Sequence, residues 1–68
     1  MYLDIKKKRE EKGLSQRGLA EKIGVTYAAV YQWETGRAVP TLSNLVSLAD
    51  ALECPIDAII SRNAQTSA

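Results

Sequence analysis

The segment Leu42 to Leu52, LSNLVSLADAL, carries apolar residues at Leu42, Leu45, Leu48, Ala49 and Leu52. That helical spacing puts them on one stripe and predicts an amphipathic core helix. Upstream, Leu19, Ala20 and Ile23 make a shorter apolar face on a helix opened by Ser15. In the next segment, about Tyr27 to Thr35, each residue turns roughly 100° from the last, and two faces separate. Ala29, Val30 and Trp33 fall inward, whereas Tyr27, Ala28, Tyr31, Gln32 and Thr35 fall outward and Glu34 lies on the boundary. A first helix is expected from about Leu3 to Lys12. KKKREEK within it is too polar to stand alone, so Ile5, the stem of Lys8 or Arg9, and Leu14 are the expected inward groups. A last short helix, Ile56 to about Ser61, offers Ile56, Ile59 and Ile60, at least one of them expected to remain exposed. No strand-like alternation, internal repeat or low-complexity segment interrupts this pattern. The expected class is all-α, with five helices and a core that includes Leu19, Ala20, Ile23, Val30, Trp33, Leu45, Leu48 and Leu52.

Local chemistry fixes the ends of these helices. Ser15, Thr26 and Thr41 are residue types whose side chains cap helix starts, and Gly24 and Gly36 suit a left-handed helix exit. Pro40 disfavours helix at Val39, and Cys54-Pro55 ends the fourth helix. Gly18 weakens the second helix: a glycine in a helix interior costs about 1 kcal/mol relative to alanine, and here it replaces a capping-box Glu. Between the second and third helices lies only Gly24-Val25-Thr26, a turn length that joins the helices of a helix-turn-helix.

At 68 residues the chain is expected to be one domain over about 1–61, with a tail at 62–68 lacking any packing signal. No apolar run is long enough to span a bilayer, and the basic N-terminus lacks a signal peptide's apolar stretch, so a cytoplasmic protein without a membrane partner is expected. Cys54 is the single cysteine and there is no His, so neither an internal disulfide nor a usual zinc-site pattern can be written. No nucleophile–base pair, phosphate-cradling glycine loop or metal constellation is present, and the expectation is no enzyme, no cofactor and no metal. The formal net charge is only +1, but eight of the nine Lys/Arg precede residue 38: Lys6, Lys7, Lys8, Arg9, Lys12, Arg17, Lys22 and Arg37. That asymmetry suits a polyanion facing the half that contains the helix pair.

GLSQ at 13–16, LAEKIGV at 19–25, QWETGR at 32–37, and Pro40 ahead of the LADAL-type helix together resemble the phage Cro/repressor-like, or lambda-repressor-like, helix-turn-helix family. The resemblance covers about residues 4–60 and implies a compact bundle of five helices, the second and third forming the DNA-binding pair. It also implies an ion pair between Arg9 and Glu34, bracing the first helix against the third. Gln16 matches the family's phosphate-binding glutamine, and a helix N-terminus is an anion site on physical grounds as well. The alternative is that Gln16 only helps cap its own helix. Arg17, Thr35, Arg37, Lys6 and Lys7 are further phosphate candidates, each lysine having a solvated surface role as its alternative.

Base readout falls to Thr26, Tyr27, Ala28, Tyr31 and Gln32. Gln32 can pair bidentately with adenine, Ala28 can lie on a thymine methyl, and the tyrosines can donate to phosphate or pack on a methyl. None is charged, whereas family members often carry polar or basic residues where Tyr27 and Ala28 stand. Tyr27 alternatively covers the turn as a structural ring. The expected function is a sequence-specific transcriptional regulator, a repressor, binding double-stranded DNA as a homodimer through the C-terminal helix region on a palindromic operator. The rival from another class is a protein-interaction module, or an antitoxin component, that grips a partner protein.

Overall fold

The computed structural model describes residues 3–60 and contains five helices: α1 (Ile5–Glu11), α2 (Gln16–Ile23), α3 (Tyr27–Glu34), α4 (Leu42–Ala51) and α5 (Ile56–Ile59). The all-α expectation holds over these residues. The expected tail at 62–68 lies outside them; the last helix ends at Ile59, short of the expected Ser61, because Ile60 turns to extended backbone and bridges to Leu3. No described helix is long and apolar enough to cross a membrane.

Three helix starts are built by the predicted caps. The hydroxyl oxygens of Ser15, Thr26 and Thr41 accept from the N–H groups of Gly18, Ala29 and Asn44 at 2.9, 3.1 and 3.2 Å. Each satisfies a donor that the first helical turn leaves free. Between α2 and α3 the chain leaves the helix through Gly24 at φ +76°, and the Val25 N–H donates to the Ala20 carbonyl. A side chain at that φ would bring its Cβ towards its own carbonyl, which is why glycine closes this turn.

Gly18 is better fitted than propensity alone indicates. A Cβ there would stand 3.2 Å from Ser15 Oγ, so the bare backbone lets the capping hydroxyl close onto the Gly18 N–H. The first helix starts later than expected. Leu3 makes an isolated antiparallel bridge with Ile60, and the Asp4 N–H donates to the Ile59 carbonyl at 2.7 Å. This pairing satisfies extended backbone at 3–4 and ties the two ends of the bundle.

The core joins Ile5, Leu19, Ala20, Val30, Trp33, Leu45, Leu48, Ala49, Ala51, Leu52 and Ile59. Of the expected set, Ile23 is only partly buried, packed against the core from its edge, as is Ala29. α2 lies against both α3 and α4, α5 closes on α4, and α1 meets α3. Two apolar expectations are corrected. Leu42 is 72 % exposed, because it sits at the edge of the α4 stripe, in a first turn that no neighbouring element covers. The C-terminal helix region leaves no isoleucine fully exposed: Ile59 is buried, and Ile56 and Ile60 are half-buried. The large exposed aliphatics are instead Val39, Leu42 and Val46.

Candidate nucleic-acid interface

Trp33 and Val30 are buried and point α3 into the bundle, which leaves Tyr27, Ala28, Tyr31, Gln32 and Thr35 exposed along its other side. The face predicted by a rotation of roughly 100° per residue is therefore the face left in water. It carries no charge. Tyr27 and Tyr31 stay 45 % and 43 % exposed, large rings left partly in water on a small domain.

Behind this face, one polar cluster fixes three elements relative to one another. Arg9 from α1 is buried, and its Nε and Nη2 donate to Glu34 Oε2 and Oε1 at 2.7 and 3.1 Å. The planar guanidinium thus meets the carboxylate with both oxygens engaged, the strong bidentate arrangement. Arg9 Nη1 donates to the Leu14 carbonyl at 2.9 Å, just ahead of α2. Gln16 Nε2, in the first turn of α2, donates to the same Glu34 Oε1 at 2.9 Å. Glu34, with its side chain 3 % exposed, accepts three hydrogen bonds and so is well compensated for its burial. The hydrogen bonds that Arg9 donates to the Glu34 carboxylate raise its pKa above the ordinary value against the opposing effect of burial, so Arg9 is charged throughout the working pH range.

This cluster contains an Arg9–Glu34 contact and adds two participants that spacing does not reveal. The Leu14 carbonyl and the Gln16 amide turn a pairwise brace between α1 and α3 into one that also holds the start of α2. Gln16 is therefore more than a cap for its own helix. Its Nε2 keeps a second N–H beyond the one given to Glu34.

The other candidates divide by position. Arg17 lies over the Tyr27 ring, its guanidinium carbon 5.2 Å from the ring centroid, so the first turn of α2 touches the first residue of α3. Both residues are exposed. Thr26 is exposed, and its hydroxyl oxygen is engaged by the Ala29 N–H while its proton remains available for donation. Thr35 donates from Oγ1 to the Tyr31 carbonyl at 2.9 Å, and so turns its hydroxyl back onto its own helix. The N–H groups of Arg37 and Ala38 both donate to the Gln32 carbonyl, which holds exposed Arg37 close behind the end of α3. Lys6 and Lys7 are both exposed on α1. By helical rotation Lys6 is roughly 60° from Arg9 and Lys7 roughly 160°, so only Lys6 is near the side that meets α3.

Two contacts had no sequence signal strong enough to find them. The Arg17–Tyr27 stack joins residues ten apart across a turn, and only its result, a cation beside an aromatic ring at two successive helix starts, is visible in the sequence. Lys12 Nζ meets Glu53 Oε1 at 2.6 Å, 41 positions away and outside the interface. Among the described residues, no group of His, Cys, Asp and Glu could hold a metal ion.

Comparison with known proteins agrees with this arrangement. The chain is 40% identical over 48 residues to the cryptic phage CTXphi transcriptional repressor RstR of Vibrio cholerae, covering 71% of this chain and 43% of that protein. It is 32% identical over 56 residues to repressor protein C2 of Salmonella phage P22, covering 82% of this chain and 26% of that protein. The HTH-type transcriptional regulator DicA of Escherichia coli is 36% identical over 50 residues, covering 74% and 37%. The chain thus spans less than half the length of these relatives. The crystal structure of the P22 c2 repressor with synthetic operator 9T superposes with a TM-score of 0.75 at 34% identity, over 78% of this chain and 80% of that one. The solution structure of the P22 c2 DNA-binding domain gives the same TM-score and identity. A family model described as helix-turn-helix matches residues 5–59, and the chain belongs to the phage Cro/repressor-like helix-turn-helix family.

Proposed function

We propose that this chain is the DNA-binding unit of a sequence-specific transcriptional regulator, a repressor, that lays α3 in the major groove of double-stranded DNA. The observation that carries this is the Arg9–Glu34–Gln16 cluster, which locks the α2 N-terminus and the outward α3 face into one rigid surface. A pre-formed surface loses little conformational entropy on binding. In this reading Gln16 and the α2 amides take one phosphate. Arg17, Arg37, Thr35 and Lys6 flank the groove, with Lys7 the weakest of the candidates by its position on α1. Thr26, Tyr27, Ala28, Tyr31 and Gln32 meet base edges. The P22 c2 repressor, whose fold this chain shares, was crystallised in complex with synthetic operator 9T.

One such module buries too little surface for tight operator binding, so a homodimer is proposed on two half-sites about 34 Å apart. The half-buried Ile56 and Ile60 offer apolar contact for a second copy through the C-terminal helix region. The cell compartment that fits this role is the cytoplasm, and nothing in the chemistry of the surface calls for a cofactor or a reaction. Selection of bound duplexes from a random pool tests the proposal. A palindrome with half-sites about one helical turn apart is the expected result. A pool without enrichment, alongside capture of a protein partner that Ile60→Asp at a half-buried position abolishes and Arg17→Ala with Arg37→Ala leaves intact, would replace it with the protein-interaction reading.

A further inference from the structure

The outward face of α3 holds hydroxyls, one amide and a methyl, and lacks any side chain with a rigid double-donor fork. Guanine, with two acceptors on its major-groove edge, is best matched by such a fork. One such fork that reaches α3 belongs to Arg17. It is the second residue of α2, yet it lies across the turn against Tyr27, the first residue of α3, at 5.2 Å from the ring centroid. Among the described residues Arg17 has no carboxylate partner, in contrast to Arg9, so its donors are unspent. A guanidinium over an aromatic face is attracted to the ring and loses conformational freedom before any ligand arrives. A guanidinium packed on a ring face keeps its N–H donors at its edge, where they can meet another group.

Resting on the proposed DNA-binding function, we propose that Arg17 is a base-reading residue for guanine, and that Tyr27 is the positioning residue whose ring aims it. Arg17 thereby moves from the phosphate group of contacts to the specificity group. Phosphate anchoring does not require it, because the α2 amides, Gln16 and Arg37 remain for that purpose. The ring of Tyr27, rather than its hydroxyl, is the part that matters here.

The test is selection from a random duplex pool with the full chain, followed by competition binding, for wild type, Arg17→Lys, Arg17→Ala, Tyr27→Phe and Tyr27→Ala. Arg17 and Tyr27 are exposed, and circular dichroism checks that each variant is folded. In the wild type, replacing one guanine per half-site is expected to weaken binding about 10-fold, within the range of a bidentate pair. Arg17→Lys keeps the charge but loses the fork, and is expected to erase the preference at that position alone. Tyr27→Phe retains the preference at the guanine position, because the ring remains; Tyr27→Ala broadens that position. If Arg17→Ala instead weakens all sequences uniformly and makes the salt dependence shallower by about one charge with an unchanged profile, Arg17 is a phosphate contact and the inference is wrong. If the wild type enriches no sequence at all, the DNA-binding proposal fails and takes the inference with it. An enriched motif indifferent to every Arg17 and Tyr27 variant overturns the inference alone.

Discussion

Glu34 is the residue on which the interface depends mechanically. Its carboxylate accepts from Arg9 twice and from Gln16 once, and its side chain is almost wholly buried. Removing one partner of a buried pair leaves an uncompensated charge, and Glu34→Ala is expected to cost about 3 kcal/mol. For so small a domain each kcal/mol lowers Tm by roughly 4 °C or more, so thermal melting gives a clear reading. Replacing both charges, Arg9→Met with Glu34→Leu, should recover most of that loss, since the pair's attraction is largely offset by its desolvation. Both variants should weaken DNA binding more than stability alone explains, because the α2 start loses its anchor. An unchanged Tm in Glu34→Ala would contradict the bracing role. At this scale the sequence carried the Arg9–Glu34 pair through a family resemblance, and spacing on the helical wheel placed Glu34 only at a boundary. The share of Gln16 and the Leu14 carbonyl was hidden, because a three-way contact depends on the angle between helices rather than on any local spacing.

Helix starts and exits were the most legible features at the scale of the element. Ser15, Thr26 and Thr41 cap where their chemistry predicts, since a side-chain oxygen reaching an N–H three residues on is a purely local event. Gly24 shows the same locality. Its φ is +76°, and nothing lies within 4 Å of where a Cβ would stand, so a substitution is penalised by the backbone alone. Gly24→Ala is expected to destabilise by about 1 kcal/mol and Gly24→Val by more, with Gly24→Asn the mildest. Chemical denaturation of the three variants checks the order, and equal stabilities would rule out the conformational origin. Gly18 illustrates what propensity misses. Its neighbour at 3.2 Å is the capping oxygen, so Gly18→Ala should return less than the about 1 kcal/mol that a helix-interior glycine usually costs. The first helix begins at Ile5, two residues after its local pattern starts, because the bridge from Leu3 to Ile60 recruits backbone that the pattern assigns to the helix.

On the scale of the whole molecule, contacts distant in sequence decide what local patterns leave open. The Lys12–Glu53 pair links the end of α1 to the turn after α4, where Glu53 holds a left-handed φ of 56°. The hydrogen bond from Lys12, with its charge, lowers the Glu53 pKa below the ordinary carboxylate value of 4.5. A lowered folded-state value means stability that is present above the ordinary value and is lost as pH falls through the folded one. The wild type should therefore exceed Glu53→Gln in stability near neutral pH, with the gap closing in acid. The gap will be small, since both groups are in water and salt screens them. A gap that widens in acid would contradict the pairing.

Exposed Leu42 and Val46 were likewise settled only by tertiary packing, since an apolar stripe on α4 names a face but not how far the neighbours extend over it. If the second copy docks through the C-terminal region, Ile60→Asp will weaken dimerisation in sedimentation and Leu42→Asp will not. The reverse result would place the partner on α4.

The central claim is that a braced, uncharged α3 face flanked by cations binds duplex DNA with sequence discrimination. Its most direct test is a titration of the selected duplex and a scrambled duplex across salt concentrations. Expected are a steep linear fall of log affinity with log salt for both duplexes, and at least about a 1,000-fold preference for the selected one at physiological salt. Equal affinity for the two duplexes, or binding indifferent to salt, would contradict it.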